Sequence, residues 1–239
     1  NATCYGPNAS ATGDSASAFG NSADATGNYS MALGTGASAS GDSATAVGRQ
    51  ANAFGVNATA LGDRAHALGD QATALGWGSN SSGGWATAVG TYSSASALNS
   101  IALGRGAVGS NTNSMALGSG AKASGTSATT VGTSANASGN RATALGVLAD
   151  ASGTSATALG DSATASGNSS TALGVLADAS GTSATALGET STASGTRAMA
   201  LGQGALSSNN NSLAIGTGSR SDIANATAIG AGAVALQQP

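Results

Sequence analysis

Large apolar side chains recur along this chain at a fixed interval of fourteen residues. The series runs Phe19, Leu33, Val47, Leu61, Leu75, Val89, Leu103, Leu117, Val131, Leu145, Leu159, Leu173, Leu187, Leu201, Ile215 and Ile229. Midway between them, seven residues on, the matching slots are mostly hydroxyls. These are Thr12, Thr26 and Ser40, then Phe54 and Leu68, then Ser82 and further serines to Ser208. A glycine follows almost every one of these positions. Of the 33 slots from Gly6 to Gly230, 29 hold Gly, and the exceptions are Ala97, Asn111, Asn209 and Ile223. A register kept over this length implies one short unit stacked on copies of itself. A flexible Gly/Ser linker has nothing to hold such a register.

The positions before each glycine define the element. Two and four residues before it the chain is almost always Ala or Ser, as at Ala142 and Ala144. Three before it, the apolar series carries Met31, Thr45, Thr59, Thr73, Thr87, Ile101, Met115, Thr129, Thr143, Thr157, Met199 and Leu213, whereas the hydroxyl series carries polar residues such as Asp24, Asn52, His66, Lys122 and Asp150. With the two-residue period of a strand, Ala points one way and its neighbours the other. The pattern predicts an all-β flat coil with two short strands per fourteen-residue turn and Ala inside. One outer face is apolar and the other polar. Each Gly and its two followers make the corners, where Gly or Asn supplies a positive φ. Ile223 suits such a corner poorly, which predicts altered geometry near the C-terminus. A coiled coil is excluded, because Gly in every heptad costs about 1 kcal/mol each relative to Ala. Collagen needs a period of three and much Pro, and the chain has 2 Pro. The paired Gly and regular Asp of the calcium-binding nonapeptide are missing, and the hexapeptide β-helix has the wrong period. Stacked at roughly 4.8 Å per turn, the coils predict a rod on the order of 80 Å. All of 1–239 reads as one repeat domain, with a variant corner segment at 77–85.

Composition sharpens the picture. Aromatics are 3% and charged residues 7%, so Ala is the main interior residue and the interior is too thin for a ligand. The outward apolar stripe exceeds the roughly 400 Å² patch that a soluble monomer tolerates. Burying each large side chain is worth roughly 1.5–3 kcal/mol. The expectation is an obligate homo-oligomer with apolar faces turned to a common axis; these physics alone leave two and three subunits both open. The net charge of −3 without a basic run argues against nucleic acid. No stretch suits a membrane span or a signal peptide, so no membrane contact is expected of this segment. The abrupt ends suggest an excised part of a longer protein. Cys4 is the one cysteine, which precludes an intrachain disulfide and suits an exported bacterial surface protein.

Candidate chemistry is sparse. No catalytic constellation, metal set or cofactor motif is present, so an enzyme is not expected. His66, with Asp63, Arg64 and Asp70 nearby in sequence, reads as a solvated surface charge cluster rather than a metal site. Trp77 and Tyr92 fall on the same corner edge one turn apart, which places them within about 5 Å. With Trp85 they form the candidate ligand-binding set, since exposed aromatics favour binding hot spots; packing against a neighbouring subunit is the competing reading. The apolar corners Val147/Leu148 and Val175/Leu176 favour subunit packing. The Thr ladder from Thr129 to Thr185 resembles ice-binding hydroxyl rows, but its companion is Leu, so an ice-binding solenoid is a minor alternative.

The strings SMALGTGASASGDSATAVG (30–48), NSIALGRGAVGSNTNSMALGSGA (99–121) and NSLAIGTGS (211–219) resemble the head repeats of trimeric autotransporter adhesins, the YadA-like heads. Asn211, Ser212, Leu213, Ala214, Ile215 and Gly216 match the family motif NSVAIG closely. The resemblance implies a left-handed parallel β-roll solenoid in a homotrimer. The apolar series, with Ile101, Met115, Met199 and Leu213 beside it, would then line the trimer interface. It also implies a virulence-associated adhesin at the cell surface of a Gram-negative bacterium, anchored in the outer membrane through a region outside this chain. Its partners would be host extracellular-matrix protein or the host-cell surface. The alternative is a passive structural spacer presenting another binding domain. By the same resemblance, GAGAVALQQP (230–239) would stand at the threshold of the neck that often follows the head in the family. Phe54 and Leu68 depart from the family's polar outer strand and leave the facing of that turn open.

Overall fold

The structure is a computed structural model and describes residues 1–235. The chain divides into two compact units, Asn1–Gly120 and Ala121–Pro239. Each is a parallel β-solenoid of fourteen-residue coils, with one three-residue and one two-residue strand per coil. In the first unit, Thr59–Leu61, Thr73–Leu75 and Thr87–Val89 lie side by side in parallel, with Leu61, Leu75 and Val89 in register. In the second, Thr143–Leu145, Thr157–Leu159 and Thr171–Leu173 do the same, with Leu145, Leu159 and Leu173 in register. The two-residue strands stack equally, as Asn52–Ala53, His66–Ala67 and Asn80–Ser81 and as Asp150–Ala151, Thr164–Ala165 and Asp178–Ala179. The register of fourteen carries over unchanged into these ladders.

Two sheets therefore back onto each other in each unit, and their inward positions are Ala. Ala144, Ala151, Ala158 and Ala165 are all 0% exposed. Ala loses no side-chain entropy on burial, and its single methyl lets the two sheets approach closely. Where another residue takes an inward seat it is small: Ser81, Thr130, Ser207 and Ser221 are buried, and Gly109 pairs beside Ala95. No cavity opens among the described residues. Backbone groups are satisfied from coil to coil. The Thr157 N–H donates to the Ser170 carbonyl at 2.9 Å, and the Gly160 N–H to the Leu145 carbonyl at 2.8 Å.

The corners correct one sequence expectation. The glycines that follow three-residue strands do have positive φ, as at Gly160 (+142°). Those that follow two-residue strands do not, and proximity explains them instead. A Cβ on Gly153 would stand 2.1 Å from the Gly167 carbonyl oxygen of the next coil. The helical left-handed seat is the second follower of each glycine, occupied without regard to size by Ser162, Leu148 or Trp85 (φ 55–57°). All four departures from the glycine comb fall in the slots that need no positive φ. Each has Asn two residues later: Asn99, Asn113, Asn211 and Asn225. The Ile223 corner keeps the turn bond found at other corners: its carbonyl accepts the Ala226 N–H at 3.2 Å, and Asn225 takes the left-handed seat. The last four residues of the segment 230–239 lie outside the described residues.

Candidate functional site: two faces and two edges

Each unit offers four surfaces. The apolar sheet presents the first and third residues of every three-residue strand. In the single chain Leu33, Leu61, Leu75, Leu117, Leu159 and Leu187 are exposed, at 38–44%. Neither Leu145 nor Leu173 is tucked into the coil; both keep partly accessible side chains on the same face. The Thr ladder shares this face, as Thr157 with Leu159.

The polar sheet carries Asp, Asn, Ser and Thr. Asn136 Nδ2 donates to Asp150 Oδ1 at 2.9 Å. Asn52 Nδ2 lies 3.1 Å from His66 Nδ1; with the amide donating, that ring nitrogen accepts. Asp178 sits where burial raises its carboxyl above the ordinary range, opposed by a hydrogen bond from Ser180. Asp222 is lowered, first by the Ser208 hydroxyl, which donates to it at 2.7 Å, and also by Arg220. Phe54 and Leu68 also face outward here, at 48% and 40% exposure, while Ala53 and Ala67 beside them stay buried. The facing of that turn is therefore not inverted.

The first edge is the row of corners after the three-residue strands. Trp77 and Tyr92 meet there, ring centroids 4.4 Å apart and planes tilted by 58°. Gly78 makes room for this: a Cβ there would stand 2.9 Å from the Tyr92 ring. On the same edge Arg49 binds Asp63 at 2.7 Å, Arg64 Nε donates to Gln50 Oε1 at 3.1 Å, and Leu148 and Leu176 are exposed. Trp85 is not with Trp77 and Tyr92. It stands on the second edge, after the two-residue strands, beside Leu98, whose Cδ1 lies 3.4 Å from where a Gly84 Cβ would be. The sequence set of three aromatics is therefore split between opposite edges. The expected cluster around His66 is likewise dispersed, with Asp63 and Arg64 on the first edge, Asp70 on the second, and His66 on the sheet between. Sequence reading missed an Asx ladder along the second edge. Asn28 Oδ1 accepts the Asp14 N–H at 3.0 Å, Asp42 Oδ1 the Asn28 N–H at 2.9 Å, and Asp70 Oδ1 the Val56 N–H at 3.0 Å. The signal was available as Asx at intervals of fourteen. No three His, Cys, Asp or Glu gather as a metal set among the described residues.

Coils of this length, with Ala inside and the SLAIG and SMALG strands on one face, fall within the residues that a known repeat profile matches. The YadA head domain repeat profile matches residues 6–79, 81–107, 110–149, 151–177, 179–205 and 207–233 in overlapping stretches. The chain belongs to the YadA head repeat family. Among curated proteins no match is found. The head repeats of trimeric autotransporter adhesins therefore account for essentially every coil described above, including those whose corners carry Trp77, Trp85 and Tyr92.

Proposed function

We propose that this head repeat is the surface-attachment part of a trimeric autotransporter adhesin, binding host cells or extracellular-matrix protein. The observation that carries the reading is the outward ladder of Leu, Val and Ile in each unit, on a chain of this family. Such a ladder is stable in water only when covered. Three copies, each wound as a left-handed β-roll, would turn these ladders to a common axis. Leu33, Val47, Leu61, Leu75, Val89, Leu103, Leu117, Val131, Leu145, Leu159, Leu173, Leu187, Leu201, Ile215 and Ile229 would line it, with Ile101, Met115, Met199 and Leu213 beside them. The polar sheets then face outward in three copies. Weak contacts to a repeating host target gain from effective concentration. The location this implies is the cell surface, held in a Gram-negative outer membrane by a region outside this chain. The test is solid-phase binding of the trimeric head to matrix proteins and host cells, with a heat-denatured control. Saturable binding is expected, and its absence across matrix proteins and cells overturns the reading.

A passive spacer is the second reading, favoured by the identity of residues 147–160 and 175–188, since duplicated coils add height without new contacts. Under it the isolated head binds nothing, and shortening the head weakens the attachment made by another domain. Ligand contact by Trp77 and Tyr92 is tested by the Trp77→Ala/Tyr92→Ala variant: loss of binding at unchanged mass and assembly stability would support it, and unchanged binding would remove it.

A further inference from the structure

The two edges of the coil are complementary to each other, and a single chain cannot bring them together. In the first unit the first edge carries Arg49, Arg64 and Arg105 with Asp63, whereas the second carries Asp14, Asp42 and Asp70 and no Lys or Arg. In the second unit the signs are exchanged. The first edge carries Asp161 and Glu189, and the second carries Arg141 and Arg197. A corner on one edge stands half a coil from corners seven residues away on the other, so heights can be compared residue by residue. At matching heights Arg49 faces the level of Asp42, Arg64 that of Asp70, and Glu189 that of Arg197. The aromatics match too: Trp77, Trp85, Tyr92 and Leu98 alternate between the two edges at successive half-coil steps. These four side chains are 42–57% exposed in the single chain. Asp63, the one acid at the level of Asp70, is already held by Arg49 at 2.7 Å and lies 3.9 Å from Arg64. Asp70 gives one oxygen to the Val56 N–H and leaves the other for a cation. Glu189 accepts from Gln203 at 3.1 Å, and Arg197 has no ion pair among the described residues.

We propose that the first edge of one chain docks against the second edge of a neighbouring copy, with Trp77 and Tyr92 clasping the partner copy's second edge at Trp85 and Leu98, and Glu189 meeting that edge at Arg197. This rests on the trimeric reading above. Rotation about an axis along the stack keeps every residue at its own height. Three apolar sheets around that axis form the sides of a prism, so adjoining sides meet edge to edge. Every contact is then heterologous, first edge to second edge, and the ring closes. Charge pairing at equal height fixes the axial register, and the aromatic contact supplies buried area at the seam. The aromatics are thereby assigned to assembly rather than to a host ligand.

The chain has 2 Trp, and both lie in this seam, so fluorescence excited selectively at tryptophan reads the seam alone. In the assembled head, emission should be blue-shifted and protected from iodide, and both features should be lost on dissociation. Glu189→Arg and Arg197→Glu should each lower the dissociation midpoint, and the double exchange should recover most of the loss. Circular dichroism of each variant checks that the coil is folded. The two residues lie on opposite edges, so coupling between them within one chain is not expected. A three-chain mass with iodide-accessible Trp and additive charge reversals overturns the seam and leaves the trimer standing. A single-chain mass overturns both. Loss of host binding by Trp77→Ala/Tyr92→Ala, with assembly stability unchanged, returns the pair to ligand contact and also overturns the seam.

Discussion

At the residue scale, two glycine slots that look alike in sequence do different physical work. Gly160 needs both its positive φ and the absence of a Cβ, which would stand 2.3 Å from the Gly174 carbonyl oxygen, whereas Gly153 and Gly167 need only the space. Natural departures occur solely in the second kind, each with Asn two residues on. Asn tolerates the left-handed region better than other side-chain-bearing residues, and Asn99 Nδ2 donates to Asn113 Oδ1 at 3.1 Å. Gly160→Asn should therefore lower the melting temperature substantially. The double change Gly167→Asn/Ser169→Asn reproduces the run found at 209–212 and should cost clearly less. Equal losses in thermal denaturation would show that the two slots are equivalent. Sequence reading saw the comb but assigned positive φ to all of it, because spacing alone does not separate torsional demand from crowding by the next coil.

Single titrations can be argued at this scale too. The coils 147–160 and 175–188 are identical, yet Asp150 receives a hydrogen bond from Asn136, while Asp178 stacks between Thr164 and Thr192. Burial raises the Asp178 carboxyl, so the protonated form is the one favoured by folding. The associated stability is fully present below the ordinary carboxylate pKa and is lost as pH rises through the raised folded value. Asp178→Asn should raise the melting temperature at pH 7 and leave it little changed in the acid range below about pH 3.5. A variant equally stabilised at both pH values would refute this linkage.

At the scale of the element, alternation decides which side chain meets which surface. Leu159 and Thr157 share the apolar sheet, and Ala158 between them is 0% exposed. Leu159→Asp places a carboxylate on that ladder and should abolish association, seen as a fall to the single-chain mass, since unpaired charges are costly to bury. Ser152→Asp, which follows a polar-sheet strand and is exposed, should change stability by no more than about 0.5 kcal/mol. A Ser152→Asp variant as dissociated as Leu159→Asp would reverse the assignment of faces. This level was the most legible in the sequence, because strand periodicity and the Leu/Ser alternation at seven residues point to one facing. Phe54 and Leu68 were the ambiguous case. Their buried Ala neighbours resolve it: a strand cannot turn its Ala outward in one coil while its hydrogen-bond partners on both sides keep theirs inward.

At the scale of the whole molecule, the proposed assembly would give the corner charges and aromatics a purpose. The chain's surface carries few ionisable groups, and within each unit those at the corners, Asp63 apart, are sorted by edge. Such sorting is invisible along the sequence, because Arg64 and Asp70 lie six residues apart and look like neighbours. Only the winding of the coil sends them to opposite edges. The same winding splits Trp77 and Tyr92 from Trp85, which a linear reading had grouped. Family membership, by contrast, was legible from the NSLAIG and NSMALG strings alone.

The hydrogen-bond ladders join each residue to the one fourteen places along, and this constrains how the gene can change length. Removing a whole coil, such as residues 161–174, should leave a folded head one storey shorter. Removing seven residues keeps glycines in their slots but interchanges the two sheets beyond the cut, so that every leucine downstream faces the wrong way. Growth and trimming of such a protein are thereby confined to multiples of fourteen codons, a quantum of inheritance set by backbone pairing rather than by any side chain.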